Sequence, residues 1–150
     1  MIGNMLLGLG TMVVCLAIQA FLVVVAIQFY ANHRRVTTSP TVVGTFALIC
    51  AVMLVLVIGN FIQISLWAGL FMLLDEFTDF RTAAYYSAVN FSTLGYGDII
   101  MSEEHRFLGP MQAVNGVLMI GVSTAVVMSA LQHALKMTIK THPQHHKESR

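Results

Sequence analysis

The sequence predicts an all-α integral membrane protein with three transmembrane helices and one short re-entrant helix per chain. Three observations lead to this fold class. Hydrophobic residues make up 57% of the 150 residues and charged residues only 10%, with a mean hydropathy of +0.76. Three apolar segments, the first two without charge and the third with Lys136 near its end, are each long enough to cross a bilayer, and most charges fall between or after them. This composition excludes an ordinary soluble domain.

The first predicted span lies at the amino terminus. Residues 1–32 carry no charge, and Met5 to Tyr30 exceeds the roughly 20 apolar residues that cross a hydrocarbon core. A signal peptide is the alternative, but a basic n-region and a small-residue cleavage site are missing and the apolar run is too long. We therefore predict a transmembrane helix followed by a cytoplasmic linker within residues 1–35.

The second and third spans follow the same argument. His33-Arg34-Arg35 and the polar residues up to Pro40 form a connection, after which Thr41 to Leu74 is uncharged. That length suits a tilted helix. Phe107 to about Met137 forms the third span, with Pro110 near its start, where a missing backbone donor does little harm.

A short semi-apolar piece interrupts the acidic segment between the second and third spans. Residues 75–104 contain six of the seven acidic side chains, and within them Ala83 to Phe91 has the length of a short helix. It is too short to span, so it predicts a re-entrant segment that enters the membrane and turns back.

Charge placement predicts the orientation. Arg34, Arg35 and the basic tail belong in the cytoplasm by the positive-inside tendency. This puts the amino terminus outside, the carboxyl terminus in the cytoplasm, and the acidic segment on the outer face. We expect a multi-pass protein of the plasma membrane.

The string Thr93-Leu94-Gly95-Tyr96-Gly97-Asp98 follows the short helix. A potassium ion crosses a membrane only where oxygens replace its hydration shell, and rings of backbone carbonyls can do so. Carbonyls that point into one axis need a backbone with positive φ at intervals, which glycine adopts at no steric cost. Gly95 and Gly97 meet that requirement.

This string resembles the potassium-channel filter sequence, with Leu94 in place of the valine common there. Over about residues 42–137 the chain is similar to the pore domain of small prokaryotic potassium channels. The resemblance implies K⁺ sites at the carbonyls of Thr93, Leu94, Gly95 and Tyr96, and a homotetramer. It also implies three parts: an extra helix with its linker (1–35), a pore domain (36–140) and a cytoplasmic tail (141–150).

Residues near the string are expected to support it. The resemblance pairs Tyr85 and Tyr86 with the filter as aromatic props, although an interfacial aromatic belt remains an alternative. Val89 stands where some family members carry a carboxylate that bonds the outer aspartate, so Asp98 needs another partner or water. The helix ending at Ser92 would direct its negative end toward the ion.

The third span is expected to line an inner cavity. Gly116 resembles the gating hinge of the family, and simple helix packing is the alternative for it and for Gly121. A helical stripe at i, i+3 and i+4 spacing predicts the face that lines the pore. Met128 and Leu131, at the end of this stripe, would narrow the inner end of the cavity. The stripe comprises Val117, Ile120, Thr124, Met128 and Leu131.

Other polar residues receive plainer interpretations. The amides at membrane depth are expected to bond between helices: Gln19, Gln28, Asn60 and Gln63. Cys15 and Cys50 are expected to be buried, with no disulfide framework or metal cluster. The tail histidines could sense pH or bind metal, or be solvated: His142, His145 and His146. Glu103 and Glu104 would raise the local cation concentration near the outer mouth, or lie in a merely solvated loop.

These observations predict a potassium-selective channel subunit that conducts passively. The first span contains no arginines of the kind that sense voltage. Enzyme activity, a cofactor other than permeant K⁺, and nucleic-acid binding are not expected, and K⁺, membrane lipid and identical subunits are the expected partners. Two alternatives remain: a weakly selective monovalent cation channel, because of Leu94 and Val89, and a non-conducting accessory subunit.

Overall fold

A computed structural model describes residues 2–36 and 42–141, with side chains for 3–32 and 43–136. The regular structure of these residues is entirely helical. Four helices follow one another along the chain: α1 (Ile2–Val36), α2 (Val42–Leu73), α3 (Phe80–Phe91) and α4 (Leu108–Thr141).

Three of these helices are long and apolar enough to cross a membrane: α1 over Gly3–Asn32, α2 over Val43–Leu73 and α4 over Leu108–Lys136. The prediction of three spans is confirmed in number and order. The chain is a multi-pass helical membrane protein. α1 continues past the predicted end at Tyr30, because nothing in the sequence up to Val36 stops a helix.

The short helix α3 begins at Phe80, earlier than the predicted Ala83. Asp79 causes this start: its backbone is extended, at φ −120° and ψ 129°, and its carboxylate accepts a hydrogen bond from the Thr82 amide at 3.2 Å. This is the geometry of a helix N-cap, in which a side chain satisfies an amide that lacks an intrahelical partner.

The end of α2 turns the chain sharply toward α3. Asp75 adopts a left-handed backbone with φ 56°. The Glu76 amide bonds the Phe71 carbonyl at 3.1 Å, and the Asp75 amide bonds the Met72 carbonyl at 3.0 Å. These paired bonds form a Schellman motif, which satisfies the last carbonyls of the helix and fixes where Glu76 leaves it.

The three spans pack against one another, and α3 lies against α2 and α4. The core at one end of the bundle joins residues from α1, α2, α4 and the loop before α4: Cys15, Trp67, Phe71, Met101 and Leu108. Tyr86 of α3 enters it edge-on, with ring centroids 5.5 Å from Phe71. A second core farther along combines Ala26, Val52 and Leu56 with the partly buried Val126 and Val127.

The predicted burial of the two cysteines is right for one and wrong for the other. Cys15 is fully buried, whereas Cys50 is exposed on the surface of α2. Lipid tails are as apolar as a protein core, so a small hydrophobic residue on a spanning helix has no need of burial within its own chain.

The amides at membrane depth connect all three spans. Gln63 of α2 donates a 2.8 Å hydrogen bond to Gln19 of α1, and Gln19 donates at 3.0 Å to the Ser123 hydroxyl of α4. Bonding between the first two helices is confirmed, and α4 takes part as well. Gln28 instead lies on the exposed face of α1, and Asn60 is half-buried.

Candidate functional site

The loop Thr93–Asp98 is tied to the last turn of α3 by backbone hydrogen bonds. The Thr93 amide donates to the Asn90 carbonyl at 2.9 Å, and the Leu94 amide donates to the Val89 carbonyl at 3.0 Å. The chain therefore leaves the helix without a flexible joint, and the position of α3 determines where the loop begins.

The loop backbone alternates in handedness. Thr93, Gly95 and Gly97 have φ of 60°, 57° and 73°, whereas Leu94 and Tyr96 are not at positive φ. The two glycines thus adopt the conformation that the sequence analysis expects. A Cβ at either glycine would meet no atom of the chain within 4 Å, so the backbone conformation is what favours glycine there.

Thr93 is the unusual member of this alternation. A β-branched residue rarely adopts positive φ, and such conformations cost about 1–3 kcal/mol each. Its hydroxyl donates a 2.7 Å hydrogen bond to the Ser92 carbonyl. Backbone strain at a defined position is a common feature of functional sites.

Asp98, the last residue of the loop, has a partner in Tyr85. The Tyr85 hydroxyl donates a hydrogen bond to the Asp98 carboxylate at 2.8 Å. It thus supplies the partner that Asp98 needs because Val89 carries no carboxylate. This hydrogen bond raises the pKa of the Tyr85 phenol above its usual value, with smaller contributions from burial and the Asp98 charge. Val89 is buried, with 8% of its surface exposed.

The two adjacent tyrosines do different things. Tyr85 is 43% exposed and faces the loop, whereas Tyr86 stacks within the aromatic core, with ring centroids 5.2 Å from Phe77. Of the two tyrosines, Tyr85 is the one whose side chain forms a hydrogen bond to the loop within the described residues. Tyr86 instead fixes α3 against α2.

A pocket of about 210 Å³ separates α3 from the loop. Its walls include residues from both elements: Tyr85, Tyr86, Val89, Asn90, Gly95, Gly97, Asp98, Ile99 and Ile100. The loop side chains Leu94 and Tyr96 are 57% and 66% exposed, so they point away from the core of their own chain.

Gly116 lies where α4 passes the end of α3. A Cβ on Gly116 would overlap the Phe91 carbonyl oxygen and would come within 3.0 Å of the Phe91 Cα. This contact between two backbones gives the packing interpretation of Gly116 a direct physical basis. By contrast, a Cβ on Gly121 would meet nothing within 4 Å.

The predicted stripe on α4 lies on a single exposed face. Val117, Ile120 and Met128 are 57%, 45% and 53% exposed, and Thr124 and Leu131 are exposed as well. The opposite side of α4 holds the buried Gln112, Asn115 and Met119. The stripe is therefore free to face a pore or another subunit, because the rest of its own chain does not cover it.

Sequence reasoning missed a polar clasp, formed by Glu76, Ser102 and His105. The Glu76 carboxylate accepts hydrogen bonds from the Ser102 amide at 2.9 Å and from the Ser102 hydroxyl, and lies 2.6 Å from the His105 Nδ1. Burial works to raise the pKa of Glu76, but these hydrogen bonds and the nearby His105 together hold it below its usual value. The clasp joins the end of α2 to the loop before α4.

The other acidic side chains on this surface are loosely held. Glu103 is 94% exposed and lies 3.9 Å from Arg106, a pair too solvated to add much stability. Glu104 is exposed as well. In the described part of the chain, no group of three His, Cys, Asp or Glu side chains could hold a metal ion. The tail histidines, His142, His145 and His146, lie outside the described residues.

Comparison with known proteins gives the family. A family model described as an ion channel matches residues 51–133, which is more than half of the chain. The chain belongs to this ion-channel family. No curated protein and no solved structure matched the chain.

The matched region of the channel includes most of α2, all of α3 with the loop after it, and most of α4. It therefore coincides closely with the region in which the sequence resembles a potassium-channel pore domain. α1 lies before the match, so the family assigns no role to it. An ion channel lets ions cross the membrane passively.

Proposed function

We propose that this channel is selective for K⁺ and that Thr93 to Gly97 form its selectivity filter. The observation that carries the proposal is the alternating backbone of Thr93, Gly95 and Gly97. A regular strand points successive carbonyls to opposite sides, whereas left-handed residues at every second position turn them toward one side. Such a row of oxygens can replace the hydration shell of K⁺.

The carbonyls of Thr93, Leu94, Gly95 and Tyr96, with the Thr93 hydroxyl, would provide the ion sites. One chain supplies only one side of each site, so the proposal requires a homotetramer arranged around the loop. The outward exposure of Leu94 and Tyr96 supports this, because these side chains would pack against neighbouring subunits.

α3 would act as the re-entrant pore helix. Its 12 residues are too few to cross the hydrocarbon core, and the loop follows directly from its carboxyl end. The partial negative charge of that end favours a cation nearby. By the positive-inside tendency, the filter and the Glu76 clasp would face outward, with the amino terminus outside, the carboxyl terminus in the cytoplasm, and the channel in the plasma membrane.

The exposed stripe of α4 would line the cavity on the cytoplasmic side of the filter. Thr124 would offer a hydroxyl there, although in the single chain this hydroxyl bonds the Ile120 carbonyl at 2.9 Å. Met128 and Leu131 would form an apolar constriction, which can close a pore by excluding water.

K⁺ flux into liposomes tests the filter. Gly95→Ala should abolish flux, because alanine does not readily adopt φ of 57°. Gly69→Ala is the matched control: Gly69 lies within α2, where a Cβ would meet nothing within 4 Å, and its flux should equal that of the native channel. Flux at the native level in Gly95→Ala would show that the loop is not part of the conduction pathway.

A weakly selective cation channel is the second candidate, because Leu94 replaces the valine of the filter sequence and Val89 carries no carboxylate. Reversal potentials with K⁺ on one side and Na⁺ on the other distinguish the two. A large shift toward the K⁺ equilibrium potential is expected, and equal permeability would refute K⁺ selectivity while leaving the channel assignment intact.

A further inference from the structure

A group of fully buried polar side chains lies inside the subunit, at membrane depth. Gln63 and Trp67 come from one face of α2, Ser87 from α3, and Gln112 and Asn115 from one face of α4; each is 0% exposed. Residues three or four positions apart lie side by side on a helix, so each pair forms one patch. We call these five residues the polar core.

Several atoms of the polar core have no hydrogen-bond partner within residues 3–32 and 43–136. The amide nitrogens of Gln63 and Gln112 are used, since they donate to Gln19 and Ser87. Their carbonyl oxygens are not, nor are the Trp67 indole nitrogen and both polar atoms of the Asn115 amide. A buried polar group without a partner destabilises the folded state, so several together are unusual in a folded protein.

Neither lipid nor a neighbouring subunit can provide the missing partners. The side chains are buried by their own chain, so any surface added from outside stops short of them. The Cys15 thiol of α1 lies close enough to Asn115 and Trp67 to interact with both, but a thiol is a weak hydrogen-bonding group, and the carbonyl oxygens of Gln63 and Gln112 stay without a donor. A small molecule inside the subunit is the remaining source.

We propose that the polar core is a hydration site, which holds ordered water between α1, α2 and α4 of each subunit. Water matches the unpaired atoms in kind: the Trp67 indole and the Asn115 amide nitrogen donate, while the carbonyls of Gln63, Gln112 and Asn115 accept. A buried water makes two to four such bonds. An ion does not fit, because no member of the polar core carries a charge to balance it.

The hydration site gives α1 a defined role. Cys15 and Gln19, both buried on α1, close the site on that side, and Ser87 of α3 donates a hydrogen bond to the Ile64 carbonyl of α2 at 2.7 Å. α1 thereby becomes one wall of the core behind α3. This inference does not depend on which ion the channel selects.

The single tryptophan provides the test, because its indole N–H gives one assignable resonance. Solid-state NMR of the native channel in lipid bilayers measures magnetisation transfer from water to Trp67. We expect clear transfer, comparable with that to the amide of the exposed Glu103 and absent at the buried Leu56 amide. Absence of transfer to Trp67 would overturn the proposal, whatever any variant does.

Asn115→Leu removes two of the unpaired atoms with little change of volume. Water transfer to Trp67 should be lost, and Trp67 fluorescence should shift to shorter wavelength. Cys50→Ala, on the exposed face of α2, is the control and should change neither. Undiminished transfer in a folded Asn115→Leu channel would refute the site; if that variant does not fold, Gln112→Leu is judged by the same criterion.

Discussion

The Tyr85 hydroxyl and the Asp98 carboxylate lie 2.8 Å apart, and this hydrogen bond connects α3 to the carboxyl end of the loop. The backbone bonds of Thr93 and Leu94 hold the amino end of the same loop to α3. The loop is therefore held to one helix at both ends. A bond to a carboxylate is stronger than one between neutral groups, although solvent screens this exposed pair.

Tyr85→Phe removes the hydroxyl and leaves Asp98 without its partner. We expect K⁺ flux that starts near the native level and then declines, because the carboxyl end of the loop is then free to move. Time-resolved K⁺ flux or single-channel recording measures this. Asp98→Asn should act in the same direction, and the double variant should be no worse than the stronger single one, since both remove the same bond. Additive effects would contradict the coupling.

Gly116→Ala should lower the free energy of unfolding of the channel by about 1–3 kcal/mol, the usual cost of overpacking a well-packed contact. The reason is that the new methyl group overlaps the Phe91 carbonyl, which cannot move without shifting the start of the loop. Thermal unfolding in detergent measures the loss. Gly121→Ala on the same helix should be tolerated.

The same pair of variants separates packing from hinge bending. A Gly116→Ala channel with native thermal stability but altered opening would favour the hinge that the family resemblance implies. Reduced stability with reduced flux in proportion would favour packing against α3.

Acid should weaken the Glu76 clasp. Because the folded-state pKa of Glu76 is lowered, its stabilising contribution is complete above the ordinary glutamate pKa of about 4.3 and is lost as pH falls through the lowered value. The melting temperature should therefore decline below about pH 4.3, and Glu76→Gln should flatten this decline. Glu104→Gln, at an exposed side chain, should keep the native pH profile.

The sequence was sufficient for the spans and the loop because both are encoded locally. An apolar run such as Thr41 to Leu74 by itself indicates a helix in lipid. The glycines at 95 and 97 by themselves indicate a backbone with positive φ at those positions. The bond between Tyr85 and Asp98 was not readable, because a tyrosine at that position suits an aromatic belt equally well.

Contacts between distant segments explain what the sequence missed. Glu76 and His105 are 29 residues apart and meet only because the turn at Asp75 directs Glu76 toward the loop before α4. The overlap of Gly116 with Phe91 likewise depends on how α4 crosses α3. Asp79 was the exception: an aspartate before a short helix is a local capping signal that would have placed the start of α3 correctly.

Gln19→Leu should show how strongly α1 is bound to the rest of the subunit. It removes the hydrogen bonds to Gln63 and Ser123, which connect α1 to α2 and to α4 through this one side chain. Hydrogen bonds between membrane helices contribute about 0.6 kcal/mol on average and up to about 1.7 each, so we expect a loss of about 1–3 kcal/mol in unfolding free energy. Chemical unfolding of the reconstituted channel measures it. Gln28→Leu makes the same chemical change on the exposed face of α1 and should cost little. If both variants lost the same unfolding free energy, the loss would come from removing a polar side chain from α1. Gln19 would then contribute no hydrogen bond between helices.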